Sequence, residues 1–191
     1  MFVPQRVRDL SAGGSLIPYF NLSSEIFTTK DLAAGDNWSA LSSVMIAGES
    51  GVKEIILACE EATDNQIDER IRNIYTALPS HLQQSIYDLA RVMAGNASSD
   101  YERALNVSQY LATNFRYPLD ASSIPEGHDF VTYFLLVSKE GYCTYFASSL
   151  TVLLRMLGIP ARYVEGYRAI PDETGVATVT GHEAHAWCEA Y

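Results

Sequence analysis

The stretch that decides the fold is GYCTYFA at residues 141–147, where a cysteine stands at the start of a predicted helix. Further along the chain comes His-Ala-Trp at residues 185–187. A thiol attacks as thiolate, and the unpaired backbone N–H groups and the macrodipole at a helix N-terminus both favour that negative charge. The two segments therefore present Cys143 and His185 as a candidate nucleophile and its base.

The segments around these two residues predict a helix followed by two strands. Apolar residues recur after Cys143 at roughly helical spacing, up to Gly158, which can adopt the left-handed conformation that closes a helix. Residues 161–167 alternate and contain β-formers, so they predict a strand, and a second strand is predicted over residues 176–191. The cysteine then lies at the helix start and His185 on the second strand.

In their order along the chain and in their amino-acid sequences, these segments resemble those of the transglutaminase-like superfamily. The resemblance covers roughly residues 70 to 191. It includes three upstream segments, YERA at 101–104, NFRY at 114–117 and DF at 129–130, which are similar to those of bacterial membrane-anchored members. The resemblance implies a papain-like α+β fold, in which helices pack on an antiparallel sheet. The last strands of that sheet are expected to be missing from this chain. The residues that carry the resemblance are Gly141-Tyr142-Cys143, Ala147, Leu154-Arg155, Gly158 to Arg162, Val164, Gly166-Tyr167 and His185 to Glu189.

The family's chemistry depends on a Cys-His-Asp triad, in which the thiolate attacks an amide carbonyl and forms a thioester. The resemblance makes Cys143 the nucleophile and His185 the base, and it places an Asp about one strand beyond the histidine. Only six residues follow His185, and none is Asp. That Asp would fix the imidazole tautomer, so we predict that the chain is cut from a longer protein and is nearly inert alone.

Other histidines and aromatic residues near these motifs have simpler interpretations. If His182 and His185 share a strand, a spacing of three points them to opposite faces, and His182 is then exposed. His128 lies in a polar loop and is predicted to be solvated. The backbone N–H of Cys143 is one donor to the oxyanion that forms on attack; the second donor stays open, with Tyr133 and Tyr142 as candidates. Trp187 is predicted to pack around the imidazole.

We predict neither a metal nor a cofactor. His182, His185, Cys143 and Cys188 are all possible zinc ligands, but their spacing does not make them converge on one point. Cys188 and Cys59 are interpreted as structural thiols.

Composition and charge restrict the partners. The chain has 191 residues with 48% hydrophobic content, enough to bury a full core. Its net charge is −10, from 13 basic and 23 acidic residues, which argues against nucleic acid. No apolar stretch approaches the roughly 20 residues needed to span a bilayer, so we predict a soluble fragment. The resemblance implies that its parent protein is membrane-anchored. The extracytoplasmic location of such a domain is implied by the resemblance alone.

Two regions are predicted along the chain. Residues 1–70 are an N-terminal extension with β-like pieces, among them Val44, Ile46, Val52 and Ile55 to Leu57. Residues 71–191 form the catalytic core. This core includes two amphipathic helices, His81 to Ala94 after Pro79-Ser80, and Tyr101 to Asn114 after Ser98-Ser99-Asp100, whose inward residues include Leu105.

Three functions are compatible with these features. The first is thiol-dependent acyl transfer on peptide or glutamine amides, with a protein or peptide as substrate. The second is the same chemistry with water as acceptor, in a cysteine protease or amidase. The third is a non-catalytic binding module of a membrane protein. The presence of both Cys143 and His185 favours an enzyme.

Overall fold

The computed structural model describes residues 7–20, 26–42, 51–62 and 69–191. The chain divides into two compact units, Met1–Glu54 and Ile55–Tyr191. The boundary between extension and catalytic core, expected from the sequence near residue 70, stays a prediction.

The described part of the first unit contains short strands in antiparallel pairs. Strand β1 (Val7–Ala12) pairs with β4 (Trp38–Ser42), and β2 (Pro18–Phe20) pairs with β3 (Ile26–Thr28). The strand predicted around Val52 and Ile55 to Leu57 is wrong, since these residues belong to helix α1 (Val52–Ala62). Val44 and Ile46 lie outside the described residues.

The second unit is mainly helical before its strands begin. Ser99 caps the second of the predicted amphipathic helices, because its hydroxyl accepts the Glu102 N–H at 3.1 Å, as the sequence predicts. Leu105 is nevertheless 38% exposed, so its predicted inward position is wrong. The helices after α1 are α2 (Glu69–Tyr75), α3 (Gln84–Ala94), α4 (Asp100–Asn114), the short α5 (Phe130–Tyr133), which continues into a π-helical turn at Phe134–Ser138, and α6 (Cys143–Met156).

Helix α3 begins later than the sequence predicts. Residues before this helix make contacts with distant parts of the unit. Arg155 Nη1 donates to the Ala77 carbonyl at 2.9 Å, and His81 Nε2 lies 2.9 Å from Asp129 Oδ2. These contacts tie the chain on both sides of Pro79 to other parts of the unit, and the helix starts at Gln84.

Helix α6 is central to the core of the second unit. It begins at Cys143 and ends at Met156, and Gly158 follows with φ +82°, the conformation expected for a residue that closes a helix. The side chains most fully buried around α6, α3 and α4 are Ile86, Val107, Leu111, Phe134, Leu153 and Ile159. Truncating any of these to Ala leaves a cavity that costs about 2–5 kcal/mol.

An antiparallel strand pair packs against α6. Strand β5 (Ala161–Tyr167) has the predicted bounds, and its partner β6 (Ala184–Ala190) starts later than predicted. A 3-10 turn at Gly181–Glu183 precedes β6, because Thr180 and Glu183 form a capping box that ends the extended backbone. Gly166 is paired with His185 and Tyr163 with Cys188. Ala161 and Ala186 are buried on the face that meets the core.

Candidate active site

Cys143 is the first residue of α6. Tyr142 precedes it in extended conformation, and the Tyr142 carbonyl accepts the N–H groups of Tyr145 at 2.9 Å and Phe146 at 3.3 Å. The helix thus starts abruptly, with the thiol and the Cys143 N–H at its positive end. Gly141 makes this start possible, because a Cβ there would lie 2.4 Å from Cγ of the buried Tyr145 ring.

His185 lies near the start of β6, and it lines the same cavity as Cys143. This cavity has a volume of about 500 Å³. In the described part of the chain, no hydrogen bond joins the imidazole to the thiol or to any other side chain. The other residues of the cavity wall come from α4, the segment just after it, α6 and β6, and Ser108 and Tyr117 are its polar members. The remaining wall residues are mostly apolar: Leu111, Ala112, Phe115, Phe146, Ala147, Leu150, Ala186, Trp187 and Cys188.

Tyr117 is a site residue that the sequence reasoning missed. It lines the cavity, and its pKa is raised by partial burial and then by interaction with the Cys143 thiol. Its hydroxyl also interacts with the backbone N–H of Cys143, which partly offsets that rise. The Tyr117 hydroxyl thus interacts with both the thiol and the backbone N–H of Cys143, which makes it a candidate donor to a developing oxyanion.

Backbone hydrogen bonds hold Tyr117 beside the cysteine. The Arg116 N–H donates to the Lys139 carbonyl at 2.9 Å, and the Gly141 N–H donates to the Arg116 carbonyl at 3.1 Å. An ion pair between Arg116 and Glu140, 3.2 Å apart, adds to this bridge. Lys139 has φ +52° and ends the π-helical turn, which directs the chain toward Arg116. The signal in the sequence was NFRY at 114–117, which was interpreted only as part of the resemblance.

A second tyrosine lies near the first turn of α6. The Tyr163 hydroxyl donates to the Glu165 carboxylate, and it also interacts with Thr144. Burial and then Glu165 raise the pKa of Tyr163 to about 12, so this phenol stays protonated through the neutral range. The Cys143 thiol is close enough to contribute to the same rise.

The tyrosines predicted as oxyanion donors lie away from the cavity wall. Tyr133 packs edge-on against His128, with ring centroids 5.2 Å apart. Tyr142 packs edge-on against Tyr145 at 5.0 Å. Both rings therefore have packing contacts, and the second donor that the sequence left open has a further candidate in Tyr117, whose hydroxyl interacts with Cys143.

The remaining histidines and cysteines lie in different environments. His128 is exposed in its loop, and His182 is exposed in the 3-10 turn, so the premise that His182 shares a strand with His185 is wrong. Cys59 is exposed on α1. Cys188 faces the core, and burial raises its pKa to about 11, with Thr151 and Arg155 offsetting part of the effect. Among the described residues, no group of three or more His, Cys, Asp or Glu could hold a metal ion.

The fold and the residues gathered at this cavity define a class. Helices packed on a small antiparallel sheet, as seen here around α6, β5 and β6, are shared with transglutaminase and papain-like cysteine-protease folds. The chain belongs to the transglutaminase-like superfamily, whose family model matches residues 87–191.

Two curated relatives share part of the sequence. The uncharacterized protein YebA of Bacillus subtilis strain 168 is 35% identical over 125 residues, which are 61% of this chain and 17% of YebA. A protein-glutamine gamma-glutamyltransferase of Pseudomonas aeruginosa is 30% identical over 129 residues, 66% of this chain and 19% of that protein. The chain thus spans less than a fifth of the length of either relative.

Solved structures agree on the fold. The periplasmic domain of TgpA from Pseudomonas aeruginosa matches with a TM-score of 0.57 and 30% identity, over 66% of this chain and 44% of that domain. A candidate cysteine protease from Cytophaga hutchinsonii matches with a TM-score of 0.51 over 97% of this chain and 62% of that chain, at 18% identity, and shows the fold alone. In the part of this chain that the structure describes, no helix is long and apolar enough to cross a membrane.

Proposed function

We propose that Cys143 and His185 are the nucleophile and the base of a cysteine enzyme that transfers acyl groups from peptide or glutamine amides. One observation carries this proposal: the first residue of α6 and a histidine of β6 line the same cavity. Membership of the transglutaminase-like superfamily supports it, since the chemistry needs a thiol and a base at one place.

The proposed reaction has two steps. The Cys143 thiolate attacks the amide carbon and forms a C–S bond while the carbonyl oxygen becomes an oxyanion; the C–N bond then breaks, and the leaving amine takes a proton from the His185 imidazolium. In the second step His185 removes a proton from an incoming amine or water. That acceptor attacks the thioester carbon, and the thiolate leaves.

Tyr117 contributes to both steps in this proposal. Its hydroxyl and the Cys143 N–H already interact, so a carbonyl oxygen that enters between them would exchange that contact for two hydrogen bonds. Donors aimed at the oxyanion lower the barrier because they require little rearrangement during the reaction.

We propose a protein or peptide as substrate and an amine as the preferred acceptor. The name of the Pseudomonas aeruginosa relative, a protein-glutamine gamma-glutamyltransferase, supports transfer to an amine. Hydrolysis shares the thioester and differs only in the acceptor, so it is the alternative outcome of the same experiment. We also propose an extracytoplasmic location, which is supported by the similarity to the periplasmic domain of TgpA.

The test is the pH dependence of Cys143 alkylation by iodoacetamide, followed by peptide mapping because Cys59 is also exposed. We expect alkylation to persist well below pH 7 and to be lost there in His185→Ala. The matched control is His182→Ala, which removes an exposed imidazole three residues earlier and should leave the profile unchanged. We use alkylation because no described side chain orients the imidazole by a hydrogen bond, so we expect slow turnover.

Two further results separate the alternatives. A profile typical of an ordinary thiol, with a midpoint near about pH 8.5 in the parent and in both variants, would identify Cys143 as structural and the domain as a binding module. If the profile is activated, a glutamine peptide mixed with a labelled primary amine distinguishes transfer from hydrolysis: the label enters the peptide in transfer, whereas ammonia release without label indicates hydrolysis.

A further inference from the structure

The face of β6 that carries His185 also carries an ion-paired carboxylate. Residues 185, 187 and 189 point to one side of the strand pair, because side chains alternate along a strand. On this face, Glu189 Oε2 lies 2.7 Å from both Nε and Nη2 of Arg162 on β5. The side chains of the pair are only 25% and 21% exposed. The carboxylate is therefore held by two N–H groups on one of its oxygens.

Arg162 is itself fixed from the other side. Its guanidinium lies over the Tyr191 ring, 5.7 Å from the centroid, and the Tyr191 ring stacks on the buried Tyr75 ring at 5.0 Å. An arginine held by an aromatic ring and a carboxylate has little freedom to move.

The second oxygen of Glu189 is used by Trp187. The indole Nε1–H donates to Glu189 Oε1 at 3.1 Å, so the ring is anchored at its nitrogen. Its other edge lies over Gly166, where a Cβ would stand 2.9 Å from the indole Cη2 atom. The ring thus occupies the space that a side chain at Gly166 would fill.

That space adjoins His185. Gly166 is the residue directly paired with His185, and the Cβ atoms of such a pair stand about 5 Å apart. The indole edge therefore lies where the cross-strand neighbour of the imidazole would stand, a position from which it can limit the imidazole rotamers. Among the described residues no side chain forms a hydrogen bond with His185, so packing against the indole is the contact of this part of the chain that can orient it.

We propose that Glu189 is a positioning residue: held by Arg162, its carboxylate fixes the Trp187 indole over Gly166, and the indole sets the rotamer of His185. The inference rests on the proposed role of His185 as the base. Glu189 does not reach the cavity wall, so its effect on the reaction passes through the tryptophan.

The first test observes the imidazole directly by NMR of histidine-labelled protein. His185 is assigned with His185→Ala, and His81, His128 and His182 serve as internal references. Glu189→Gln changes no atom of Trp187 or His185, yet we expect it to shift the indole N–H signal and the His185 ring signals while the three references stay in place. Asp100→Asn is the matched control, because it removes a carboxylate from another arginine pair, at 2.9 Å from Arg103.

The second test is the alkylation profile of Cys143. In Trp187→Phe, which keeps an aromatic ring and loses the anchoring N–H, we expect alkylation at pH 6 to slow by about tenfold or more, since a misplaced base is costly. Two results would overturn the proposal. In Glu189→Gln, the indole N–H signal could shift while the His185 ring signals stay unchanged. In Trp187→Phe, the pH profile of Cys143 alkylation could match that of the parent protein. If the parent itself shows an ordinary thiol profile, the proposed function fails, and the NMR result still decides whether Glu189 positions His185.

Discussion

Replacing Gly141 by alanine should destabilise the start of α6. An alanine Cβ at this position would lie 2.4, 2.6 and 2.8 Å from Cγ, Cβ and Cδ1 of Tyr145. Carbon atoms rest about 3.5–4.0 Å apart, so the Tyr145 ring would have to retreat by about 1 Å. That ring is 5% exposed and lies between Phe130, at 4.7 Å between centroids, and Tyr142, at 5.0 Å.

The expected cost follows from this packing. Overpacking a core typically costs 1–3 kcal/mol, and with three contacts this short in a closed aromatic cluster we expect about 3 kcal/mol for Gly141→Ala. In a domain of this size such a loss lowers Tm by roughly 6–12 °C. Gly181→Ala is the matched control: its Cβ would meet nothing within 4 Å, and we expect a change within about 0.5 kcal/mol.

Urea unfolding measures this difference. The chain has two tryptophans, Trp38 and Trp187, so a Trp38→Phe background makes the fluorescence report on the second unit alone. We expect the midpoint of Gly141→Ala to fall well below that of the parent and the midpoint of Gly181→Ala to match it. Equal midpoints for the two variants would refute the argument that Tyr145 is locked against Gly141.

Three other outcomes follow from the structure. In native protein at pH 8, iodoacetamide should modify Cys143 and Cys59 and leave Cys188 intact. The pKa of Cys188 is about 11, so about one Cys188 thiol in a thousand is thiolate at this pH. Rapid labelling of Cys188 in peptide maps would contradict its burial. Burial opposes ionisation of Asp129, but hydrogen bonds from Thr132 and His81 outweigh it and lower the pKa of this carboxyl. The ionised carboxylate therefore stabilises the folded protein fully above its pKa in the unfolded chain, about 3.9, and this stabilisation is lost as pH falls through the lower pKa of the folded state. Asp129→Asn should accordingly flatten the dependence of unfolding free energy on pH in that acid range. Tyr117→Phe should slow the acylation of Cys143 by an activated ester such as p-nitrophenyl acetate about a hundredfold while iodoacetamide still alkylates Cys143, since the ester passes through an oxyanion and iodoacetamide does not; an unchanged acylation rate would exclude the hydroxyl as a donor.

Local signals in the sequence were enough to locate the central elements. Helix α6 begins at Cys143, and β5 has the predicted bounds, because each has its own start and stop residues within a short window. The capping box between Thr180 and Glu183 was also readable from a T-x-x-E pattern, and it would have corrected the start of β6. The apolar run near Ile55 predicted a strand, but the same residues belong to helix α1, in which Ile55 is 61% exposed.

The part of the site that the sequence did not predict depends on contacts between distant residues. Tyr117 lies near the thiol because the Arg116 backbone forms hydrogen bonds with the backbone of Lys139 and Gly141. No periodic pattern in the sequence predicts such a bridge. The link from Arg162 through Glu189 to Trp187 also joins two strands, so it becomes visible only when the register of β5 and β6 is known. Pairing of this kind is a tertiary property, and a window of sequence does not contain it.

The bridge between Arg116 and Gly141 has a consequence for how the protein can diverge. Residues 118–128 leave this bridge and return at Asp129, which His81 holds at 2.9 Å. Both ends of the segment are thus fixed by contacts outside it, and the entropy of closing a loop rises only slowly with its length. We expect the exposed residues 119–120 and 125–128 to accept insertions, deletions or grafted sequences while the thiol stays in place. Ile124, which packs against the core, and Ser122, whose carbonyl accepts the Tyr145 hydroxyl at 3.4 Å, should tolerate less change. Relatives of this chain could therefore differ in the length of this segment while the backbone bridge that holds Tyr117 beside Cys143 stays intact.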